Sequence, residues 1–295
     1  MEYIQAKTII TKNKNTNWFG TDYNMNIYRG CSHGCIYCDS RSDCYHVPNF
    51  DTVTAKENAL EIIHNELKKK TKTGVIGTGA MSDPYNPCEK DFLLTRGSLE
   101  LINTFYFGIG IATKSTLITR DIDILQDIKR HSPVICKITI TTANDNLCRK
   151  IEPNVAPTSE RFDAIKKLSG AGIYAGVLMM PILPFINDTK ENIIYIVNKA
   201  KDSGARFIFP SFGVTLRGNQ RDYYYNKISA LSPNLKSEYI KEFKDSYVCN
   251  SPNTKELYSA FAKECDKVGL LYNMKQIIKS YKADYSNNLL DILDI

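Results

Sequence analysis

Four of the nine cysteines in this 295-residue chain fall between Cys31 and Cys44. Three of them, Cys31, Cys35 and Cys38, are spaced C-x3-C-x2-C, with Tyr37 directly before the last. Three thiolates can hold three irons of a cubane [4Fe–4S] cluster and leave the fourth iron without a protein ligand. An open coordination position is what a reactive metal site keeps, whereas a structural site fills every position. Gly30 and Gly34 let the backbone curl closely enough for all three sulfurs to reach one group. Two other readings stay open. A zinc site needs a fourth ligand, which His33, Cys44 or His46 could supply, although only Cys35 and Cys38 have the C-x2-C spacing usual for zinc. The three cysteines could also be free thiols.

The remaining cysteines are scattered. Cys136 alternates within an apolar run and reads as a small core residue, while Cys148, Cys249 and Cys265 have no metal-type spacing. Nine is odd, so the cysteines cannot all pair within one chain. A chain of this length buries about three quarters of its unfolded surface and needs no disulfide staples. Hydrophobic residues make up 43% and charged residues 24%, the balance of a soluble globular protein. Residues 1–10 contain no apolar run of signal-peptide length. The most apolar stretch, residues 174–186, is too short for a membrane span and contains Pro181 and Pro184. These features point to a cytoplasmic protein with no membrane partner, in a reducing compartment where clustered cysteines bind metal or do redox chemistry. The net charge of +6 is compatible with a polyanionic partner without requiring one.

Positioning a reactive loop requires a scaffold, and the rest of the chain reads as α/β. Short β-branched runs alternate with helical patterns, the signature of βα units around a parallel sheet. Strands are expected over 25–29, 74–79, 109–113, 134–141, 173–180 and 206–209. Helices are expected over 51–70, 95–107, 121–130 and 159–168. A fifth helix has a capping-box spacing at Asp188 and Glu191, an apolar face of Ile193, Ile194, Val197 and Ala200, and Gly204 just past its end. Six units imply a partial (βα)6 TIM-type barrel whose site lies at the C-terminal ends of the strands. After about residue 214 the pattern changes to helices without intervening strands, over 220–230, 236–247, 254–268 and 274–282. The expected organisation is an N-terminal segment 1–20, a partial-barrel domain 21–214 and a C-terminal helical extension 215–295.

The cysteine spacing, the aromatic before the third cysteine and the place of the loop after a first strand resemble the radical S-adenosylmethionine (SAM) superfamily. The run from Gly20 to Asp39 is similar to the branch related to spore photoproduct lyase. Gly79-Ala-Met-Ser-Asp-Pro-Tyr, Thr113-Lys-Ser and residues 172–184 extend that likeness. The resemblance implies a [4Fe–4S] cluster on Cys31, Cys35 and Cys38, with SAM chelating the open iron. It implies reductive cleavage of SAM to a 5′-deoxyadenosyl radical that abstracts hydrogen from a substrate, and a one-electron reductant such as flavodoxin or ferredoxin. For SAM it implies contacts from Tyr37 near the adenine, Gly79 and Ser82 after the second strand, Lys114 after the third, and Thr141 or Thr142 after the fourth.

One position departs from the branch. Spore photoproduct lyase is understood to use a cysteine near the end of its second strand as hydrogen-atom donor, and Ala80 stands at the matching place. This argues that the chain is not the lyase itself. Cys88 is the nearby candidate for such a role. Nucleic acid is the substrate class that the relative suggests, and Lys68, Lys69, Lys70, Lys72, Arg217, Arg221 and Tyr223–Tyr225 are the candidate contacts. The alternative from another class is a non-catalytic zinc- or cluster-binding regulatory module.

Overall fold

β-branched, wholly apolar runs supply the strands of one sheet. The computed structural model describes residues 2–79 and 81–285. Seven strands form the main sheet: β1 (Ile10–Lys12), β2 (Tyr23–Met25), β3 (Val75–Gly77), β4 (Gly108–Thr113), β5 (Val134–Thr139), β6 (Ala175–Met179) and β7 (Phe207–Pro210). Their spatial order is β7-β6-β5-β4-β3-β2-β1. All neighbours pair in parallel except β1 with β2 at the edge. Six parallel strands in sequential order are the expected partial barrel.

β5 shows how the sheet is held. Val134, Cys136 and Ile138 pack in the main core with Phe162 and Ile165 of the following helix. Ile135 faces the barrel bore with Val75, Leu178 and Phe207. Period-two alternation with both faces buried explains the near-continuous apolar sequence. The crossover helices include α1 (Ala59–Lys68), α2 (Leu94–Thr104), α3 (Ile122–Lys129), α4 (Thr158–Gly170) and α5 (Lys190–Asp202). In α5 the buried face is Ile193, Ile196, Val197 and Ala200, whereas Ile194 is exposed. The spacing i, i+3, i+4, i+7 selects Ile196 over Ile194. The cap also differs from expectation. The Thr189 side chain accepts from the Asn192 amide, and Asp188 instead accepts from Ser251 Oγ at 2.6 Å. Such a cap contributes about 1 kcal/mol, against roughly 1.5–3 kcal/mol for each large apolar side chain buried, so packing fixes this helix.

Two strand expectations need correction. The first barrel strand is 23–25, and Tyr28–Arg29 leaves it to pair with Thr54–Lys56 in a separate three-stranded sheet. The helix expected from residue 51 therefore begins only at Ala59. Beyond the barrel, helices α6 (Gly218–Ser229), α7 (Leu235–Phe243), α8 (Thr254–Val268) and α9 (Met274–Lys282) do include a strand between them. Val248–Asn250 pairs antiparallel with Gly213–Thr215.

The later helices close and support the barrel. Leu257, Phe261 and Cys265 of α8 join the main core. Ile277 and Tyr281 of α9 pack with Phe19 and Val75 across the N-terminal end of the bore, and Tyr281 donates to the Phe19 carbonyl at 2.7 Å. Tyr224, Tyr225 and Ile228 of α6 and Leu235 and Tyr239 of α7 form another core with Ile36 and Tyr37 of the cysteine loop. One end of the bore is thus sealed, and the cysteine loop is anchored beside the other.

Candidate active site at the strand ends

At the C-terminal ends of the strands lies a pocket of about 750 Å³, within the range of small-molecule sites. Cys31, Cys35 and Cys38 all line it, together with His33, Tyr37 and Asp39. The tight curl of their loop depends on Gly30. Its φ is +75°, and a Cβ there would lie 2.3 Å from the Thr52 carbonyl oxygen. The Cys31 amide then donates to the Phe50 carbonyl at 2.8 Å. Burial pushes the Cys35 thiol well above its ordinary range. Burial, with the charge of Asp83, pushes Cys31 up to about 11.

Two carboxylates fasten this loop to the barrel. Glu152, fully buried, accepts from the Tyr37 hydroxyl and pairs with the buried Arg161 at 2.6 Å. Arg161 also donates to the carbonyls of Thr139 at 2.9 Å and Ala156 at 2.7 Å. Asp83 joins three segments. It accepts from Thr113 Oγ1 at 2.6 Å and the Lys114 amide at 2.8 Å, and its Oδ2 lies 3.4 Å from His33 Nδ1. Neither role is legible in the sequence, where Asp83 falls only within the run from Gly79 to Tyr85 and Glu152 belongs to no motif.

Gly79, Ser82 and Lys114 line the pocket. Ser82 Oγ donates to the Gly30 carbonyl, tying the end of the second strand to the cysteine loop. Lys114 Nζ sits 5.6 Å from the Tyr37 ring centre. Burial opposes its charge, but Cys35, Glu152, Cys38 and Asp83 outweigh that and hold its pKa above the ordinary value. Gly79 has φ +87°, and a Cβ would lie 2.2 Å from the Ala112 carbonyl oxygen. Gly79→Ala is therefore expected to lower stability by more than the roughly 1 kcal/mol of an ordinary Gly-to-Ala mismatch, readable as a lower urea midpoint at unchanged slope.

Other candidates lie elsewhere. Thr141 is buried away from the pocket, its carbonyl accepting from the side chains of Asn187 and Asn192. Thr139 lines the pocket in its place. Thr142 is likewise buried outside it, accepting from Thr158 Oγ1 at 2.7 Å. Cys88 packs against the main core, and Cys44 and His46 are exposed; none of them lines the pocket. Ala80 lies outside the described residues. Among the described residues no group of three His, Cys, Asp or Glu side chains is arranged to hold a metal ion. Lys68 ends α1 and Lys69, Lys70 and Lys72 follow it just before β3 begins, at the end of the barrel opposite the pocket. Arg217 pairs with Asp39, and Arg221 donates to the carbonyls of Leu216, Lys244, Asp245 and Ser246. Tyr224 and Tyr225 are buried, and Tyr223 stacks on Arg41.

Residues 25–194 match the model of the radical SAM superfamily, a span that holds the cysteine loop and most of the pocket wall. The chain belongs to the radical SAM superfamily. This radical SAM protein is 32% identical over 255 residues to an uncharacterized protein of Methanocaldococcus jannaschii, covering 84% of this chain and 85% of that one. It is 22% identical over 182 residues to a Pseudomonas phage protein named radical SAM Nalpha-GlyT isomerase, covering 62% of this chain and 37% of the other. Its fold is similar to a spore photoproduct lyase variant with bound AdoMet and dinucleoside spore photoproduct. That match has a TM-score of 0.64 and 15% identity, over 90% of this chain and 78% of that one. Radical SAM proteins generally bind a [4Fe–4S] cluster and SAM. Among the described residues no helix is long and apolar enough to cross a membrane.

Proposed function

We propose that this radical SAM protein is an enzyme that holds a [4Fe–4S] cluster on Cys31, Cys35 and Cys38 and takes a hydrogen atom from a substrate bound in the barrel pocket. When bound, the cluster and SAM together supply reductive cleavage of SAM to a 5′-deoxyadenosyl radical. The observation that carries this reading is the placing of all three cysteines on one pocket wall at the C-terminal mouth of six parallel strands. The donor set suits a cluster better than a lone ion, because a cubane takes one thiolate per iron and needs no three donors converging on one point. The Cys31 and Cys35 thiols, whose pKa values burial raises, would lose their protons on binding metal.

The chain's own groups then have distinct tasks. Tyr37, fixed by Glu152, offers a ring face beside the cysteines. Lys114 supplies a half-buried positive charge next to that ring, suited to a carboxylate or ribose oxygen of SAM. Gly79 and the turn through Ser82 offer backbone groups at the end of the second strand, and Thr139 a hydroxyl at the end of the fourth. The packed N-terminal end of the bore excludes water from beneath the pocket. The electron comes from a one-electron donor of the flavodoxin or ferredoxin kind.

A nucleic acid or nucleotide is the substrate class favoured by the fold's likeness to a protein that binds a dinucleoside photoproduct. Ala80, where a donor cysteine is understood to stand in the lyase, separates this chain from that reaction. Anaerobic reconstitution is expected to give about four irons per chain, and SAM is expected to alter the electron paramagnetic resonance signal of the reduced cluster. A folded chain that takes up no iron, or whose signal ignores SAM, refutes the reading. A titration against single- and double-stranded DNA at low salt tests the substrate class, since absence of any salt-sensitive binding removes a phosphate contribution.

A further inference from the structure

Lys137 is the inward-facing residue of β5 next below Thr139, and it lies at the floor of the pocket. Its exposure is 2%. Among the described residues its ammonium has no hydrogen-bond or ion-pair partner, and its contact is the Phe19 ring, 5.0 Å from Nζ to the ring centre. Buried charges are ordinarily paired. The contrast with Lys114 is direct, since Lys114 has Glu152 and Asp83 around it. Both carboxylates on the pocket wall are already engaged. Asp39 binds Arg217 and Tyr45, and Asp83 binds Thr113 and the Lys114 amide. The neighbouring Thr21 hydroxyl donates to the Trp18 carbonyl.

The surroundings keep this ammonium open to the pocket. Lys137 is paired in register with Gly176, and a Cβ on Gly110 would come within 3.3 Å of Nζ. Gly110 thus stands where a side chain on the adjoining strand would crowd it, whereas the missing side chain at Gly176 makes room for Phe207. Burial pulls the pKa down to about 8, so the charge is held at a cost that the Phe19 ring offsets only in part.

We propose that Lys137 is a substrate-binding residue that receives an anionic oxygen, carboxylate or phosphate, of the substrate at the floor of the barrel bore. This rests on the proposed function and adds a substrate property to it. The anion is assigned to substrate rather than SAM because SAM must reach the cysteine wall, where Lys114 already provides a cation, whereas Lys137 lies on the floor.

The test uses the full chain with Lys137→Met, and Lys137→Gln as a second neutral variant should the first not fold. Thermal unfolding is measured in chloride and in inorganic phosphate at matched ionic strength, and SAM affinity is measured on the reconstituted proteins. Removing an unpaired buried charge is expected to raise Tm in chloride by about 2 °C or more. Phosphate is expected to stabilise the wild type by mass action and to leave the variant unchanged, with SAM affinity equal within about twofold. A lowered Tm in chloride makes the lysine structural and overturns the proposal. So does a phosphate effect absent from the wild type or equal in both proteins. A tenfold loss of SAM affinity would assign the anion to SAM and also overturn it. Because the unfolding arm needs no cluster, it remains readable even if the chain proves unable to cleave SAM.

Discussion

A Cys35→Ala chain is expected to form no 5′-deoxyadenosine from SAM under reducing, anaerobic conditions while keeping its fold. Losing an outer partner of a metal ligand typically lowers affinity or activity by about 10–100-fold, so losing a ligand itself should exceed that. The substitution is gentle structurally. Cys35 sits in the core formed by Ile36, Tyr37, Leu183 and the α6 and α7 side chains, and replacing its thiol by hydrogen removes one heavy atom. The hydrogen bonds that shape the loop run through the backbone of Cys31, Ile36 and Cys38, which alanine preserves. Iron content, circular dichroism and SAM cleavage measured together separate a missing ligand from a missing fold. Cys44→Ser is the matched control. Cys44 is exposed and lies off the pocket, so its loss should leave all three readouts unchanged, and a strong effect there would count against a three-cysteine site.

The second large effect is on stability. Glu152→Gln leaves Arg161 as a buried cation without its counter-charge, both side chains being fully buried in the native pair. Breaking such a pair costs about 3–5 kcal/mol, because the remaining charge is left uncompensated. The expected result is a Tm lower by on the order of 10 °C. The same substitution replaces the acceptor of the Tyr37 hydroxyl, so SAM affinity should weaken in whatever fraction remains folded. The pH dependence has a definite sign. Burial raises the Glu152 pKa, but Arg161, Lys114 and the Tyr37 hydroxyl outweigh it and hold the carboxyl below its ordinary value. Its stabilisation is complete above the unfolded pKa of about 4.3 and is lost as pH falls through the lower folded value. The stability gap between wild type and Glu152→Gln should therefore be flat from neutral pH to about 5 and narrow in more acidic solution. A gap that widens on acidification would contradict the assignment.

How much of this could be read in advance depended on the range of the interactions. The β5 run was legible because both its faces are buried, and α8 and α9 were legible to the residue because each has a clear apolar stripe. The three cysteines were legible as a group through their spacing, and all three line the pocket. Thr141 lies off the pocket because, although parity along β5 points it inward, the strand ends at Thr139 and the chain then turns. The first strand was misplaced because Tyr28 and Arg29 are extended in a different sheet. Glu152, 115 residues from Tyr37 in sequence, and Asp83, which joins the cysteine loop to the third unit, act only through tertiary contacts that no local pattern carries. The basic and tyrosine-rich segments read as a nucleic-acid surface, but Arg217, Arg221 and Tyr224 are engaged within the protein and the lysines of 68–72 lie at the opposite end of the barrel from the pocket.

The most direct measurement is the quantity of 5′-deoxyadenosine formed from SAM by the reconstituted chain, with and without dithionite, in the wild type and in Cys35→Ala. The account predicts reductant-dependent 5′-deoxyadenosine with methionine in equal amount from the wild type, and none from the variant. A folded wild-type chain that carries its iron and forms neither product, or a Cys35→Ala chain that forms both at the wild-type rate, would contradict it.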